Sequence, residues 1–249
     1  MPRKLGQHFL IRDSLLERLA QAACGVHSPR VIEIGPGRGA LTRHLLPRTD
    51  ELHAIEIDVS LLDHLQTRFR EEPKLHLHCA DVLGTDLTQW GAASITGNLP
   101  YYITSPIVEK FLLLDARFER AVFLMQWEVA QRIVAGPGSR DYGYLSVLTQ
   151  LLCDVELILK APPAAFSPSP KVDSAAVRFL RKAPAGADFD SLLKLVSRSF
   201  AHKRKTLRNN LRPFYGAVID TLPEASLRAE QLSVQQFVEL HARLGRGEV

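Results

Sequence analysis

From residue 30 to residue 182, short apolar runs alternate with segments whose apolar residues recur at helical spacing. The runs 31–34, 52–57, 75–79, 93–96 and 120–125 read as strands. Between them Leu61, Leu62, Leu65 and Phe69, and later Ile107, Val108, Phe111 and Leu112, fall on single helical faces. Strand and helix in strict alternation predict an α/β fold with a doubly wound sheet. Two later runs, 155–159 and 175–180, predict an antiparallel hairpin at the sheet edge, joined by a connection stiffened by Pro162, Pro163, Pro168 and Pro170.

The pattern changes at Lys182-Ala183-Pro184-Ala185-Gly186-Ala187, where small residues, Pro and Gly interrupt the periodicity. Beyond it Leu192, Leu195, Val196 and Ser199 form one helical stripe, and Leu232, Phe237, Leu240 and Leu244 belong to later helices. The boundary predicts a large domain over 1–184 and a small α-helical domain over 187–249. At 249 residues, 46% hydrophobic and 23% charged, the chain has material for both.

No stretch reaches the ~18 to 20 uninterrupted apolar residues of a membrane span, since Asp154 and Glu156 break the most apolar run. The amino terminus is basic without an apolar segment behind it, and a cytoplasmic protein is expected. Cys24, Cys79 and Cys153 are odd in number and widely spaced, so they read as buried small hydrophobes rather than as disulfides or metal ligands. The net charge of +4 is unevenly spread. Residues 1–12 hold three basic and no acidic residues, and residues 183–249 hold ten basic and seven acidic, whereas the body between holds eighteen basic and twenty acidic. Basic ends on a slightly acidic body favour a polyanionic partner, although they also serve solubility.

Candidate chemistry lies at the ends of the strand runs. Gly35-Pro36-Gly37-Arg38-Gly39 follows the first run and leads towards a helix, a bend whose glycines permit close backbone approach to a ligand. Glu56 closes the second run, where a carboxylate can accept from both ribose hydroxyls, and Asp81 follows the third, where one can accept from an adenine amine. Taken singly each is also a helix cap or a loop acid; together they describe an adenosine pocket that would equally suit NAD.

Asn98-Leu99-Pro100-Tyr101, after the fourth run, is more specific. The exocyclic amine of adenine is a poor nucleophile because its lone pair is delocalised into the ring. Acceptors that hold its hydrogens favour the tetrahedral geometry of attack. The Asn98 side-chain oxygen and the Leu99 carbonyl are suited to that, Pro100 fixes the backbone between them, and Tyr101 can stack on the base. Asn-x-Pro alone is also a common strand-to-helix turn.

With these motifs the chain resembles the ribosomal RNA adenine dimethyltransferase family, on its small-subunit (16S) side, from Gln7 to about Leu211. The resemblance includes Gly6-Gln7-His8-Phe9-Leu10, the glycine turn, Glu56, Asp81, Asn98 to Tyr101 and Gln126-Trp127-Glu128-Val129-Ala130. It continues through Tyr142-Gly143, Phe166-Ser167-Pro168-Ser169-Pro170-Lys171-Val172-Asp173-Ser174 and Arg204-Lys205-Thr206-Leu207-Arg208-Asn209. It implies a Rossmann-like methyltransferase sheet with a small C-terminal helical RNA-binding domain, and S-adenosyl-L-methionine as cofactor. It also implies dimethylation of two adjacent adenosines in a hairpin loop of small-subunit rRNA, within a 30S assembly intermediate, by a monomer that needs no metal.

The resemblance assigns cofactor contacts to His8, Leu10, Gly35, Gly37, Glu56, Asp81 and Asn98, and base stacking to Tyr101 and Phe166. Two positions depart from the family pattern: His8 stands where Asn is usual, and Trp127 where Lys is usual. Arg3, Lys4, Lys203, Arg204, Lys205 and Arg208 are the expected RNA contacts, with Phe200, Leu207 and Leu211 anchoring their segment. Three rivals stay open at this level: a large-subunit rRNA dimethyltransferase of the antibiotic-resistance type, an NAD-dependent dehydrogenase, and a non-catalytic RNA-binding or assembly protein.

Overall fold

The computed structural model describes residues 7–114, 118–182 and 188–246. These residues fall into two compact units, one of 1–130 with 155–181, the other of 131–154 with 182–249. The expected linker at 183–187, like Arg3 and Lys4, lies outside the described residues. The second unit therefore takes more than the tail beyond the small-residue boundary, because residues 131–154 share its core.

In chain order the first unit begins with β1 (Phe9–Leu10), α1 (Asp13–Cys24), β2 (Ser28–Ile34), α2 (Thr42–Leu45), β3 (Thr49–Glu56) and α3 (Val59–Arg68). It continues with β4 (Leu75–Cys79), β5 (Ser94–Asn98), α4 (Thr104–Leu112) and β6 (Arg120–Gln126), and α5 (Trp127–Val134) leads out of it. α6 (Tyr144–Leu152) belongs to the second unit, and β7 (Cys153–Ala161), β8 (Phe166–Ser167) and β9 (Ser174–Arg181) return to the sheets of the first.

Seven strands form one sheet in the order β4-β3-β2-β5-β6-β9-β7. β4 through β6 are parallel neighbours, and β9 runs antiparallel to β6. β6 sits inside the sheet, and its run Ala121 to Met125 is buried to 0% exposure, as expected of a strand covered on both faces. β4 closes one edge with His76 and His78 in its run, and its terminal Cys79 is exposed. Cys79 thus departs from the expected buried hydrophobe: an edge strand lacks the neighbour that would cover it. Cys24 and Cys153 are buried and free.

The chain winds outward from β2 through β3 to β4, then returns to place β5 on the other side of β2. Strand order reverses there, and a crevice opens beyond the carboxyl ends of β2 and β5. α1 packs Leu15, Leu16, Leu19, Ala20 and Ala23 into the core. α3 begins where the Asp58 carboxylate accepts from the Ser60 N–H at 3.0 Å.

Two short strands were not legible in the sequence. β1 pairs antiparallel with β8, Phe9 opposite Ser167 and Leu10 opposite Phe166, in a separate two-stranded sheet. Two-residue strands carry no periodicity, so only the folded pairing reveals them.

The second unit builds its core from α6, α7 (Phe189–Ser199), α8 (Leu207–Tyr215) and α9 (Val234–Arg246). Leu192, Leu195, Val196, Phe237 and Leu240 are buried in it as their periodicity predicts; Leu232 is buried too, but from the turn before α9 rather than from a helix.

Candidate active site

The backbone leaves β2 at Ile34 and turns through Gly35, whose N–H donates to the Ile55 carbonyl at 2.9 Å. Gly35 has φ +65°, and a Cβ there would meet nothing nearer than the Asn98 carbonyl at 3.9 Å, so its missing side chain leaves open space at the crevice. Gly37, with φ +58°, is glycine for another reason: a Cβ would lie 2.8 Å from the Phe9 ring. Its N–H donates to Glu56 Oε2 at 3.2 Å, while Glu56 Oε1 accepts from the N–H groups of Ile57 and Asp58 at 3.0 and 3.1 Å. Burial raises the Glu56 pKa, and these three donors oppose the rise. Beneath the turn Thr42 Oγ1 donates to Glu33 Oε2 at 2.7 Å, and burial pushes the Glu33 carboxyl up to about 8.

Asn98 is the last residue of β5, not the first beyond it, and pairs with Leu124 of β6. Its Nδ2 donates to the backbone carbonyl of His8 at 2.7 Å. The acceptor is a carbonyl, so the amide must present its NH2 there, which leaves Oδ1 as the unshared acceptor. Leu99 is 1% exposed, and its N–H donates to the Leu124 carbonyl at 2.9 Å, locking the loop to the sheet. Pro100 (φ −60°) leads into a 3-10 turn over Tyr101–Ile103. The Tyr101 hydroxyl and Ser174 Oγ lie 2.6 Å apart, and the Tyr101 ring stacks on His8 with centroids 5.6 Å apart and an interplanar angle of 28°. His8 is held in turn by Nδ1, 2.8 Å from the Pro168 carbonyl.

Around these groups lies a cavity of about 560 Å³, lined by Gln7, His8, Gly35, Glu56, Asn98 and Tyr101 among others. An adjoining cavity of about 550 Å³ shares Gly35, Glu56, Pro100 and Tyr102 and adds Asp81. A smaller one, about 360 Å³, brings in Leu10 beside Gly35 and Asn98. Asp81 Oδ1 accepts from the Leu83 N–H at 2.9 Å. The fold thus gathers His8, Leu10, Gly35, Gly37, Glu56, Asp81 and the 98–101 loop at one edge of the sheet.

Phe166 is placed differently. It is 4% exposed in the core with Leu10 and Ala165, and is not among the residues lining these cavities. Lys160 Nζ lies 4.6 Å from the centre of the Trp127 ring and 2.6 Å from Asp173, so a cation stands at Trp127 although the residue is not basic. In the second unit Lys203, Arg204, Lys205 and Arg208 are exposed while Leu207 and Leu211 are buried, but Arg208 pairs with Asp220 at 3.0 Å. Sequence reasoning did not assign the supports of the site: Ser174 beneath Tyr101, Thr42 on Glu33, and the exposed Tyr102 beside the loop. Ser174 ends a motif already singled out, so the signal for it was present; its contact with Tyr101 was not. Among the described residues no helix is long and apolar enough to cross a membrane, and no His, Cys, Asp and Glu cluster is arranged to hold a metal.

A sheet of this order, with β9 antiparallel to β6, a crevice at the switch point and an Asn-Leu-Pro-Tyr loop lining it, defines a Rossmann-like methyltransferase. The chain belongs to the ribosomal RNA adenine dimethylase family, which matches residues 1–244. It is 40% identical over 246 residues to the ribosomal RNA small subunit methyltransferase A of Thermotoga maritima, covering 99% of this chain and 86% of that one. Among solved structures, a dimethyladenosine transferase from Plasmodium falciparum superposes with a TM-score of 0.84 at 25% identity, covering 97% and 99% of the two chains. The 23S rRNA methyltransferase ErmE superposes with a TM-score of 0.73 at 29% identity, covering 95% and 99%. The protein is an S-adenosylmethionine-dependent rRNA adenine dimethyltransferase.

Proposed function

We propose that the protein transfers two methyl groups to N6 of each of two adjacent adenosines in a hairpin loop of small-subunit (16S) rRNA during ribosome biogenesis. The observation that carries this reading is the loop from Asn98 to Tyr101 at the mouth of the cavity, with the Asn98 amide nitrogen already engaged by His8.

The donor set suits S-adenosylmethionine. Glu56 faces the cavity with acceptor capacity beyond its three backbone donors, which fits the ribose hydroxyls. Asp81 keeps Oδ2 for the adenine amine, Gly35 leaves room for the ligand, and His8 and Leu10 serve the methionine end. Gly37 acts through its N–H by fixing Glu56. When bound, the cofactor supplies a methyl group made electrophilic by its sulfonium.

The chain's own residues prepare the nucleophile. Asn98 Oδ1 and the Leu99 carbonyl accept the N6 hydrogens and draw the nitrogen towards tetrahedral geometry, while Tyr101 stacks on the base. Ser174, the first residue of β9, holds Tyr101 in place through its hydroxyl. Phe166, buried against Leu10, supports β1 from beneath. The target must be unpaired or flipped, because N6 cannot be reached within a stacked helix. Arg3 and Lys4 at one end and Lys203, Arg204 and Lys205 at the other bind phosphates, with Arg208 drawn from its pair with Asp220. In this reading the enzyme acts as a cytoplasmic monomer on a 30S assembly intermediate.

The likeness to ErmE favours one alternative, a large-subunit target. Incubating the protein with labelled cofactor and unmethylated small subunits, naked small-subunit RNA or large subunits, then mapping products by mass spectrometry, decides between them. Dimethyladenosine pairs in small subunits are expected; label confined to large subunits reverses the assignment.

A further inference from the structure

Among the described residues, Phe214 is the one large apolar side chain of the second unit left exposed, at 53%. It projects from the last turn of α8, directly after Pro213, and Arg198 meets it from the last turn of α7. The Arg198 guanidinium lies 4.1 Å from the centre of the Phe214 ring and 5.8 Å from that of Tyr215, which is half-buried against the core of the unit. Arg198 therefore rests on an anchored ring and backs an exposed one. This cation–π layer steadies Phe214 from one side and leaves much of the ring in water.

The chain around the ring is basic without exception. Residues 198–215 hold Arg198, Lys203, Arg204, Lys205, Arg208 and Arg212 and no Asp or Glu. Asp220 pairs with Arg208 at 3.0 Å and with Arg212 at 3.6 Å, whereas no ion pair engages Arg198, Arg204 or Lys205 among the described residues. α8 spans nine residues, about 13 Å by helical rise, so the cations before its start and the ring at its end fall within reach of one short strand of nucleotides. A protein partner calls for a continuous apolar patch, and a lone ring in a basic segment does not supply one. A planar base carried on a phosphate backbone satisfies both the ring and the charge.

Resting on the RNA substrate proposed above, we infer that Phe214, backed by Arg198, is a stacking platform for an unpaired nucleobase whose neighbouring phosphates lie against the basic segment. The platform accepts purines and pyrimidines alike, because every base has a π face and Phe214 has no polar group with which to read a base edge. It takes no part in methyl transfer. Its work is to hold single-stranded RNA that the Asn98 to Tyr101 loop does not handle.

Titration of the full chain with two strands of equal length and charge separates stacking from charge. One is a short oligouridylate, whose base lacks the exocyclic amine that the Asn98 loop engages; the other carries abasic sugars. Phe214→Ala and Phe214→Leu should bind oligouridylate about five- to tenfold more weakly than the wild type, the scale of one lost base stack. Their salt slope should not change, because no cation is removed, and their affinity for the abasic strand should equal the wild type's. Phe214→Trp should keep the affinity, and its added fluorescence should be quenched by oligouridylate but not by the abasic strand. Phe214→Leu binding as tightly as the wild type, or an equal loss on both strands, overturns the inference. A loss seen only with protein-bearing small subunits also overturns it and assigns the ring to a protein contact. A wild type that binds neither strand nor small-subunit RNA removes the substrate reading itself, whereas a wild type that binds, with variants indistinguishable from it, removes the platform alone.

Discussion

The amide nitrogen of Asn98 donates to the backbone carbonyl of His8, a hydrogen bond of 2.7 Å between residues ninety positions apart. It fixes which end of the Asn98 amide is spent, and so makes Oδ1 the acceptor offered to a substrate. Replacing Asn98 with Ala removes that acceptor and should lower the single-turnover rate about 10²- to 10³-fold, the usual cost of losing one positioned polar group at a reacting centre. Calorimetry should find S-adenosylhomocysteine binding within a few-fold of wild type. Unchanged turnover would remove Asn98 from the chemistry.

Tyr101 has two separable functions, its ring and its hydroxyl. Tyr101→Ala should weaken use of the RNA substrate by about 1 to 3 kcal/mol, the usual worth of one aromatic–base stack. Tyr101→Phe and Ser174→Ala each break only the 2.6 Å contact between the hydroxyls. Their combined effect should equal either alone, because both delete the same interaction; additive losses in kcat/KM would show that the contact does not act as a unit.

The segment 203–208 offers a charge test graded by pairing. Lys203→Ala, Arg204→Ala and Lys205→Ala should each reduce the slope of log K against log salt for RNA binding by about one. Arg208→Ala should do less, since Asp220 already neutralises Arg208. Asp220→Asn, which frees it, should strengthen binding at low salt. Filter binding across a salt series reads all five variants.

Glu33 sets how stability responds as pH rises from 4.5 to about 8. Burial raises its carboxyl from 4.5 to about 8, so the folded state favours the protonated form. The stability it confers is complete below pH 4.5 and drains away as pH rises towards 8. Glu33→Gln keeps an acceptor for Thr42 and removes this dependence. Urea unfolding should show the variant gaining on the wild type between pH 5 and pH 8; parallel curves would mean that Glu33 ionises freely.

His53 works in the opposite direction. It is buried against Trp90, Glu51 and His78, and desolvation lowers its pKa from 6.5 to about 4. Its contribution is present above pH 6.5 and is lost as pH falls towards 4, because the unfolded state takes up the proton first. His53→Gln should flatten the acid limb of the stability profile between pH 6.5 and pH 4; an acid limb as steep as the wild type's would place the acid loss elsewhere.

Much of this protein was legible one residue at a time. Alternation of apolar runs and helical stripes marks the strands and helices because side-chain burial repeats every two or every 3.6 residues, and that signal is local. The strand ends, and with them Glu56, Asp81 and Asn98, follow from the same pattern, since parallel strands deliver their carboxyl ends to one edge. What the sequence could not determine is whatever depends on contact between distant segments. The pairing of Phe9 and Leu10 with Phe166 and Ser167, the His8 carbonyl on Asn98 and the Ser174 hydroxyl on Tyr101 carry no periodic trace. The same holds for the burial of Phe166, for the exposure of Cys79 on an edge strand, and for residues 131–154 joining the helical unit. Hydrogen bonds and packing across long separations are chosen only when the whole chain closes, so the folded structure alone decides them.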